Sequence, residues 1–179
     1  VLFVDAPQVW EARRWGVTRP GWGSVLQSLA ESRQFSDAEL VACVTDEVAA
    51  AVESITRNKA RVLVTPCTAN VPTADHRTTN RSRHHLDGRL VVGWVGSFRR
   101  FHHVDVLVRA AAAASTTVPE LTLMLIGDGP TREECSELAR ELHVDCRFVG
   151  SVPNTEVTGL LQACDIGVIP SGKEDDFHY

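Results

Sequence analysis

No run of apolar residues in this sequence is long enough to cross a bilayer. Leu121–Ile126, apolar but for one threonine, has the length of a strand, whereas a spanning helix needs about 20 residues. Positive charge is not in excess either. The formal net charge is −5, which excludes attraction to nucleic acid through a global basic field. The five cysteines contain no Cys-x-x-Cys pair. Cys43, Cys135, Cys146 and Cys164 sit in or beside apolar patterns and read as small buried hydrophobes of a reducing compartment, hence the cytoplasm. Cys67 falls on a loop, in Thr65-Pro66-Cys67-Thr68, with no His/Asp arrangement beside it to make it a nucleophile. Neighbouring His84 and His85 do not face one another, and no carboxylates or cysteines recur at metal-ligand spacings, so no metal site is expected. An initiator Met and a signal-peptide layout are also missing. The chain opens on Val1 inside an apolar stretch and stops at Tyr179, where a further helix is due, so flanking segments are expected on both sides.

What is present is an alternation of apolar strands with one-sided helical stripes. Residues 1–70 read as the tail of one α/β unit. Strands are expected at 1–4, 39–44 and 61–65. Ser24 followed by Gln27 fits a capping box for a helix running to about Arg33. Val48, Ala51, Val52 and Ile55 make one face of a second helix. Trp10, Trp15 and Trp22 cluster between these elements, either as covers over a core or as a ligand platform. Residues 71–88 hold only two large aliphatic side chains, Val71 and Leu86, and read as an exposed interdomain linker. Their Arg and His content without aromatic stacking partners does not make a nucleic-acid site.

Residues 89–179 carry the clearest pattern. Four strands, at 90–95, 121–126, 147–149 and 166–169, are nearly continuously apolar, as strands buried on both faces must be. Between them lie three helical stripes: Val104, Leu107, Val108 and Ala111; Cys135, Leu138, Ala139 and Leu142; Val157, Leu160, Leu161 and Cys164. Thr131 with Glu134 forms a second capping box, and Asn154 can cap the third helix. The fold class is therefore α/β, with a parallel, Rossmann-like sheet covered by helices.

Ligands of such sheets bind beyond the carboxyl ends of the strands. The first loop there offers Gly96, Ser97, Phe98, Arg99, Arg100 and His102 just before a helix, combining close backbone approach, cationic donors and a positive helix end. Solvated loop charges are the alternative account of the Arg pair, and the place of the pair before a helix favours the phosphate reading over it. The second loop is Gly127-Asp128-Gly129-Pro130, where Asp128 reads equally as a ribose or sugar contact and as a helix cap. Gly150, Ser151, Val152 and Pro153 can present backbone groups to a base edge. The fourth loop is acidic, with Glu174, Asp175 and Asp176 beside Phe177 and His178. Together these loops suit a nucleoside diphosphate.

The strings Val92-Gly93-Trp94-Val95-Gly96-Ser97-Phe98-Arg99-Arg100-Phe101-His102, Leu125-Ile126-Gly127-Asp128-Gly129-Pro130, Phe148-Val149-Gly150-Ser151-Val152-Pro153 and Ala163-Cys164-Asp165-Ile166-Gly167-Val168-Ile169-Pro170-Ser171, in this order, resemble the carboxyl-terminal domain of the retaining family 4, or group 1, glycosyltransferases. The resemblance covers about half of the chain, and residues 37–66 more faintly resemble the end of the family's amino-terminal domain. It implies two facing Rossmann-like domains: the end of an acceptor-side domain over 1–70, a hinge over 71–88, and an incomplete domain for the nucleotide-sugar donor over 89–179. It further implies carbohydrate biosynthesis by metal-independent sugar transfer from a nucleotide-diphosphate sugar to an acceptor of unknown identity, with retained configuration and no cofactor, the nucleotide-sugar being a substrate. In that picture Arg99 and His102 neutralise the leaving diphosphate with Arg100 beside them, and Asp176 is the catalytic carboxylate. Gly150, Ser151, Val152 and Pro153 meet the base, while Glu174, Asp175, Phe177 and His178 meet the donor sugar. Contact with a membrane would be peripheral, through segments outside this sequence.

The departures are specific. Ser97 stands where many members have Arg, His102-His103 where they have Lys-Gly, and Cys67-Thr68 where Asn-Gly is frequent. These departures keep open a nucleotide-sugar-binding or scaffold domain without chemistry, and a sugar-nucleotide epimerase is the third reading. The second of the family's paired glutamates would fall beyond Tyr179, so the 179-residue chain alone is expected to show no turnover. A radiolabelled sugar-transfer assay checks this, and appreciable turnover would contradict it.

Overall fold

The computed structural model describes residues 1–14, 21–68 and 75–170. The chain divides into two compact units between Ala69 and Asn70. Each is built on its own parallel sheet.

In the first unit, β1 (Leu2–Val4), β2 (Val41–Cys43) and β3 (Val62–Val64) lie in sequence order. They are joined through α1 (Gln8–Arg14), α2 (Trp22–Asp37) and α3 (Asp46–Thr56). Val4, Phe35, Val41, Cys43, Val48 and Val52 form the core, so the expected face of α3 is largely the buried one. Thr45 caps α3 by accepting from the Val48 N–H at 3.3 Å. The expected cap at Ser24 does not form. α2 starts two residues earlier, after Gly21 at φ 61°, and the Ser24 hydroxyl donates to the Gly21 carbonyl. Trp22 is 80% exposed, Trp15 lies outside the described residues, and only the backbone of Trp10 is described.

The second unit starts with α4 (Arg77–Arg83) and β4 (Leu90–Val95). It continues through α5 (Val104–Ser115), β5 (Leu121–Ile126), α6 (Arg132–Glu141), β6 (Cys146–Gly150), α7 (Asn154–Gln162) and β7 (Ile166–Gly167). The strand order is β6-β5-β4-β7, all parallel, with Leu90–Val95 in step with Leu121–Ile126. The order reverses between β4 and β7, which is where open sheets of this kind form a crevice. Alternate residues serve opposite faces. Val92, Trp94, Leu123 and Leu125 join Leu107, Val108 and Cys135 in one core, whereas Val91, Met124 and Ile126 join Leu86, Leu160 and Ala163 in the other. Burial on both sides is why β4 and β5 are so apolar. Burial also pushes the Cys146 thiol up to about 12 and the Cys164 thiol up to about 11, so both stay protonated.

Residues 75–88 are expected as an exposed linker, and most of them are exposed, yet they carry a helix that belongs to the second unit. α4 lies against α7, and Leu86 is completely buried. Arg77 donates to the carbonyls of Gln162 and Cys164, and Arg81 to that of Ala163. These carbonyls belong to the open end of α7, where bonds from cations also suit the helix dipole. Arg81 reaches the carbonyls of Leu86 and Arg89 too, both at 2.7 Å, and pairs with Asp165. Counting apolar residues misses a helix held by guanidinium bonds. Residues 71–74 lie outside the described residues.

Burial of Asp165 opposes ionisation, but the Val91 N–H and the Arg77 and Arg81 guanidiniums outweigh it and hold the carboxyl below its ordinary value. Such a group stabilises the fold above the unfolded-chain value of about 3.9, and that contribution is lost as pH falls through the folded value. Asp165→Asn should therefore flatten the acid limb of stability against pH. Arg81→Ala, which leaves several part-buried carbonyls and one carboxylate oxygen short of a partner, should cost roughly 3 kcal/mol. Urea denaturation at pH 7 and between pH 3 and 5 checks both.

Candidate functional site

The loops at the carboxyl ends of β4, β5 and β6 are stitched together by their backbones. Gly96 N–H donates to the Ile126 carbonyl at 3.0 Å, and Phe98 N–H to the Asp128 carbonyl at 2.9 Å. Thr131 N–H donates to the Phe98 carbonyl at 3.0 Å, and Gly127 N–H to the Gly150 carbonyl at 2.8 Å. Gly127 sits at φ 127°, directly against the Gly96 carbonyl, where a Cβ would overlap it. A Cβ on Gly129 would come within 2.6 Å of the Phe98 carbonyl oxygen. The expected juxtaposition of the first two loops on one rim of a parallel sheet is thus present, and the third loop joins them.

Phe98 needs correction as a ligand contact. Its ring is fully buried, edge-on to Trp94 at 4.9 Å and tilted against Phe148 at 6.1 Å. Only its backbone serves the rim. Asp128 is exposed and accepts from the Gly129 N–H at 2.7 Å, which orders the turn; α6 begins after Thr131, without a side-chain cap. The expected Thr131/Glu134 capping box therefore does not form.

Arg99 and Arg100 are exposed and line a groove between α5 and α6, together with Asp105, Arg109, Glu134 and Glu137. Arg100 lies 3.9 Å from Glu134, and as an exposed pair the two contribute little to stability. His102 is held differently. Its Nδ1 lies 2.5 Å from the Ser97 carbonyl oxygen and 3.4 Å from the Ser97 hydroxyl. Its ring stands edge-on to Phe101 at 4.5 Å and to Trp94 at 6.0 Å. His103, at φ 47°, turns the chain into α5. After β6, Gly150 takes φ 85°, Ser151 is exposed, Val152 packs on the core under α7, and Pro153 opens that helix. A base at this loop would meet backbone groups rather than the Val152 side chain. Glu174, Asp175, Asp176, Phe177 and His178 lie outside the described residues. Among the described residues, no three His, Cys, Asp or Glu side chains gather as metal ligands.

Sequence reasoning overlooks Arg132. Its guanidinium carbon lies 5.7 Å from the Phe148 ring centroid, and its Nε is buried without a partner among the described residues. A cation in the first turn of a helix opposes the dipole, and that mismatch is the signal in the sequence.

Residues 89–177 match the profile of the glycosyl transferases of group 1. The D-inositol 3-phosphate glycosyltransferase of Corynebacterium urealyticum is 30% identical over 162 residues, spanning 82% of this chain and 38% of that protein. The 2-deoxystreptamine glucosyltransferase of Streptomyces kanamyceticus is 30% identical over 91 residues, 50% of this chain and 24% of that protein. The chain thus spans well under half the length of these relatives. Among solved structures, Anabaena HepE in complex with UDP and glucose superposes with a TM-score of 0.72 at 16% identity, over 95% of this chain and 45% of that one. Sucrose-phosphate synthase of Thermosynechococcus elongatus does so with a TM-score of 0.69 at 20% identity, over 94% and 43%. These likenesses establish the α/β fold with parallel sheets.

The rim geometry separates two glycines. Gly127→Ala should cost about 3 kcal/mol or more, since the new Cβ meets backbone. Gly150→Ala, with nothing within 4 Å of its Cβ, should cost only the strain of positive φ, about 1–2 kcal/mol. Urea midpoints of the two variants check the order.

Proposed function

Residues 89–177 belong to the glycosyl transferases of group 1, and from that premise we propose that this chain carries the donor-binding unit of an enzyme that moves a sugar from a nucleoside diphosphate sugar to an acceptor. The observation that carries the reading is the convergence of the loops after β4, β5 and β6 at one rim, where the strand order reverses between β4 and β7. Glycines there let the loops pack backbone on backbone and so fix the rim at which ligands of such sheets bind.

The reaction we assign retains the configuration of the sugar. The bond from the anomeric carbon to the diphosphate oxygen breaks, and the acceptor oxygen, losing its proton, bonds on the same face. Negative charge accumulates on the departing diphosphate. Fixed donors already in place for that charge lower the barrier without needing to reorganise. In this proposal His102, Arg99 and Arg100 supply them, so no metal is needed. Arg132 is a further cation within the same loop cluster. The loop after β6 meets the base, and the acidic segment 174–176 meets the sugar, with Asp176 as the catalytic carboxylate.

Uridine diphosphate sugars are the first donors to test, because structural neighbours were solved with UDP and with UDP-glucose. Among the described residues no helix is long and apolar enough to cross a membrane. A reducing, cytoplasmic compartment, with at most peripheral membrane contact, fits the five free cysteines. One observation favours a second reading, a domain that binds the donor without turning it over: Arg100 is turned toward Glu134.

Thermal shift and calorimetry with UDP, GDP, ADP and their glucose conjugates test the assignment on the intact chain. One nucleotide at a hundredfold excess over Kd should stabilise the fold by about 2.7 kcal/mol, raising Tm by several degrees. Arg99→Ala should weaken that nucleotide about tenfold, the loss of one charge-assisted bond. Absence of any shift across the panel would remove the reading.

A further inference from the structure

We propose that His102 holds a donor phosphate through Nε2, and only as the imidazolium, so that donor binding takes up a proton. The inference rests on the donor-binding reading above and adds to it the protonation state in which the loop works. A carbonyl oxygen can only accept a hydrogen bond. With Nδ1 2.5 Å from the Ser97 carbonyl oxygen, the ring proton must sit on Nδ1. In the neutral ring Nε2 is then a bare acceptor. A phosphate oxygen is also an acceptor, so the two repel. A second proton on Nε2 converts it into a charged donor.

Phe101 and Trp94 stand edge-on to the ring, and the His102 N–H is itself bonded to the Arg99 carbonyl at 3.0 Å. The charged groups on the surrounding elements are mixed in sign. Arg99, Arg100 and His103 share its loop, Asp105 and Arg109 lie on α5, Asp128 on the neighbouring loop, and Arg132 and Glu134 on α6. Trp94, the β4 residue packed against the ring, brings no charge. A bound diphosphate therefore adds the largest new negative charge, and by linkage it favours the imidazolium. Affinity is greatest at low pH. It falls as pH rises, because losing the Nε2 proton removes a charged donor to the phosphate.

The test is calorimetry of the intact chain with UDP-glucose, whose two phosphates are fully ionised throughout the range, from pH 5.5 to 8.5 in buffers of different ionisation enthalpy. GDP-glucose and ADP-glucose are run alongside. The expected result is net proton uptake on binding and affinity that weakens with rising pH. His102→Lys should keep binding and lose both signatures, whereas His103→Gln should keep them. Nitrogen-15 NMR of the unliganded imidazole should report a proton on Nδ1 of the neutral ring. Binding that is tight but flat with pH, or a neutral ring protonated on Nε2, overturns this proposal and leaves donor binding standing. Loss of the pH dependence in His103→Gln but not in His102→Lys also overturns it. No binding by any of the three donors at any pH overturns donor binding and this proposal with it.

Discussion

The second unit depends on one close approach, that of Gly127 to the carbonyl of Gly96. Two strands in register bring their carboxyl ends level, and the two loops must then leave side by side. With a side chain at 127 they would be forced apart. Because there is none, Phe98 can bond to Asp128 and Thr131, its ring can drop into the core, and Gly127 can reach back to Gly150. The rim is held by backbone groups, so its side chains remain available for chemistry.

The two ends of the sheet are divided accordingly. At the amino ends of the strands, polar side chains are used for construction. Asp165 binds Arg77, Arg81 and the Val91 N–H, while Asp145 binds Arg89, Arg147 and Thr122. At the carboxyl ends the Arg99 guanidinium has no partner among the described residues, Arg100 has a loose one, and the His102 ring bonds only to its own loop. Fixed pairs consume charge, and a site for an anion needs charge left over. That asymmetry is a physical reason to look for the ligand at one rim and not the other.

Much of this was legible from residue spacing. β4 and β5 fall where continuous apolar runs predict strands, and Val104, Leu107, Val108 and Ala111 are buried as their spacing requires. The elements that sequence misjudges are held by polar bonds. The helix over Arg77–Arg83 is anchored by guanidinium bonds to backbone carbonyls, and hydrophobic periodicity carries no trace of these. Phe98 reads as a loop residue because its neighbours are polar, yet its ring fills the space between Trp94 and Phe148. Thr131 and Glu134 have cap spacing, but Thr131 makes no cap bond and Glu134 approaches Arg100. In the candidate site the glycines were legible as a group. Which one touches which carbonyl was not, because that depends on register between strands far apart in the chain.

The bonds from α4 to the end of α7 bear on where a module begins. The match to the group 1 profile starts at Arg89, yet the helix that closes α7 lies wholly before it. A graft exchanged between relatives at the start of the profile match would carry α7 with its last carbonyls bare and Leu86 missing from its core. The natural seam for recombination therefore lies upstream of Arg77, and evolutionary shuffling of this unit would be expected to respect it.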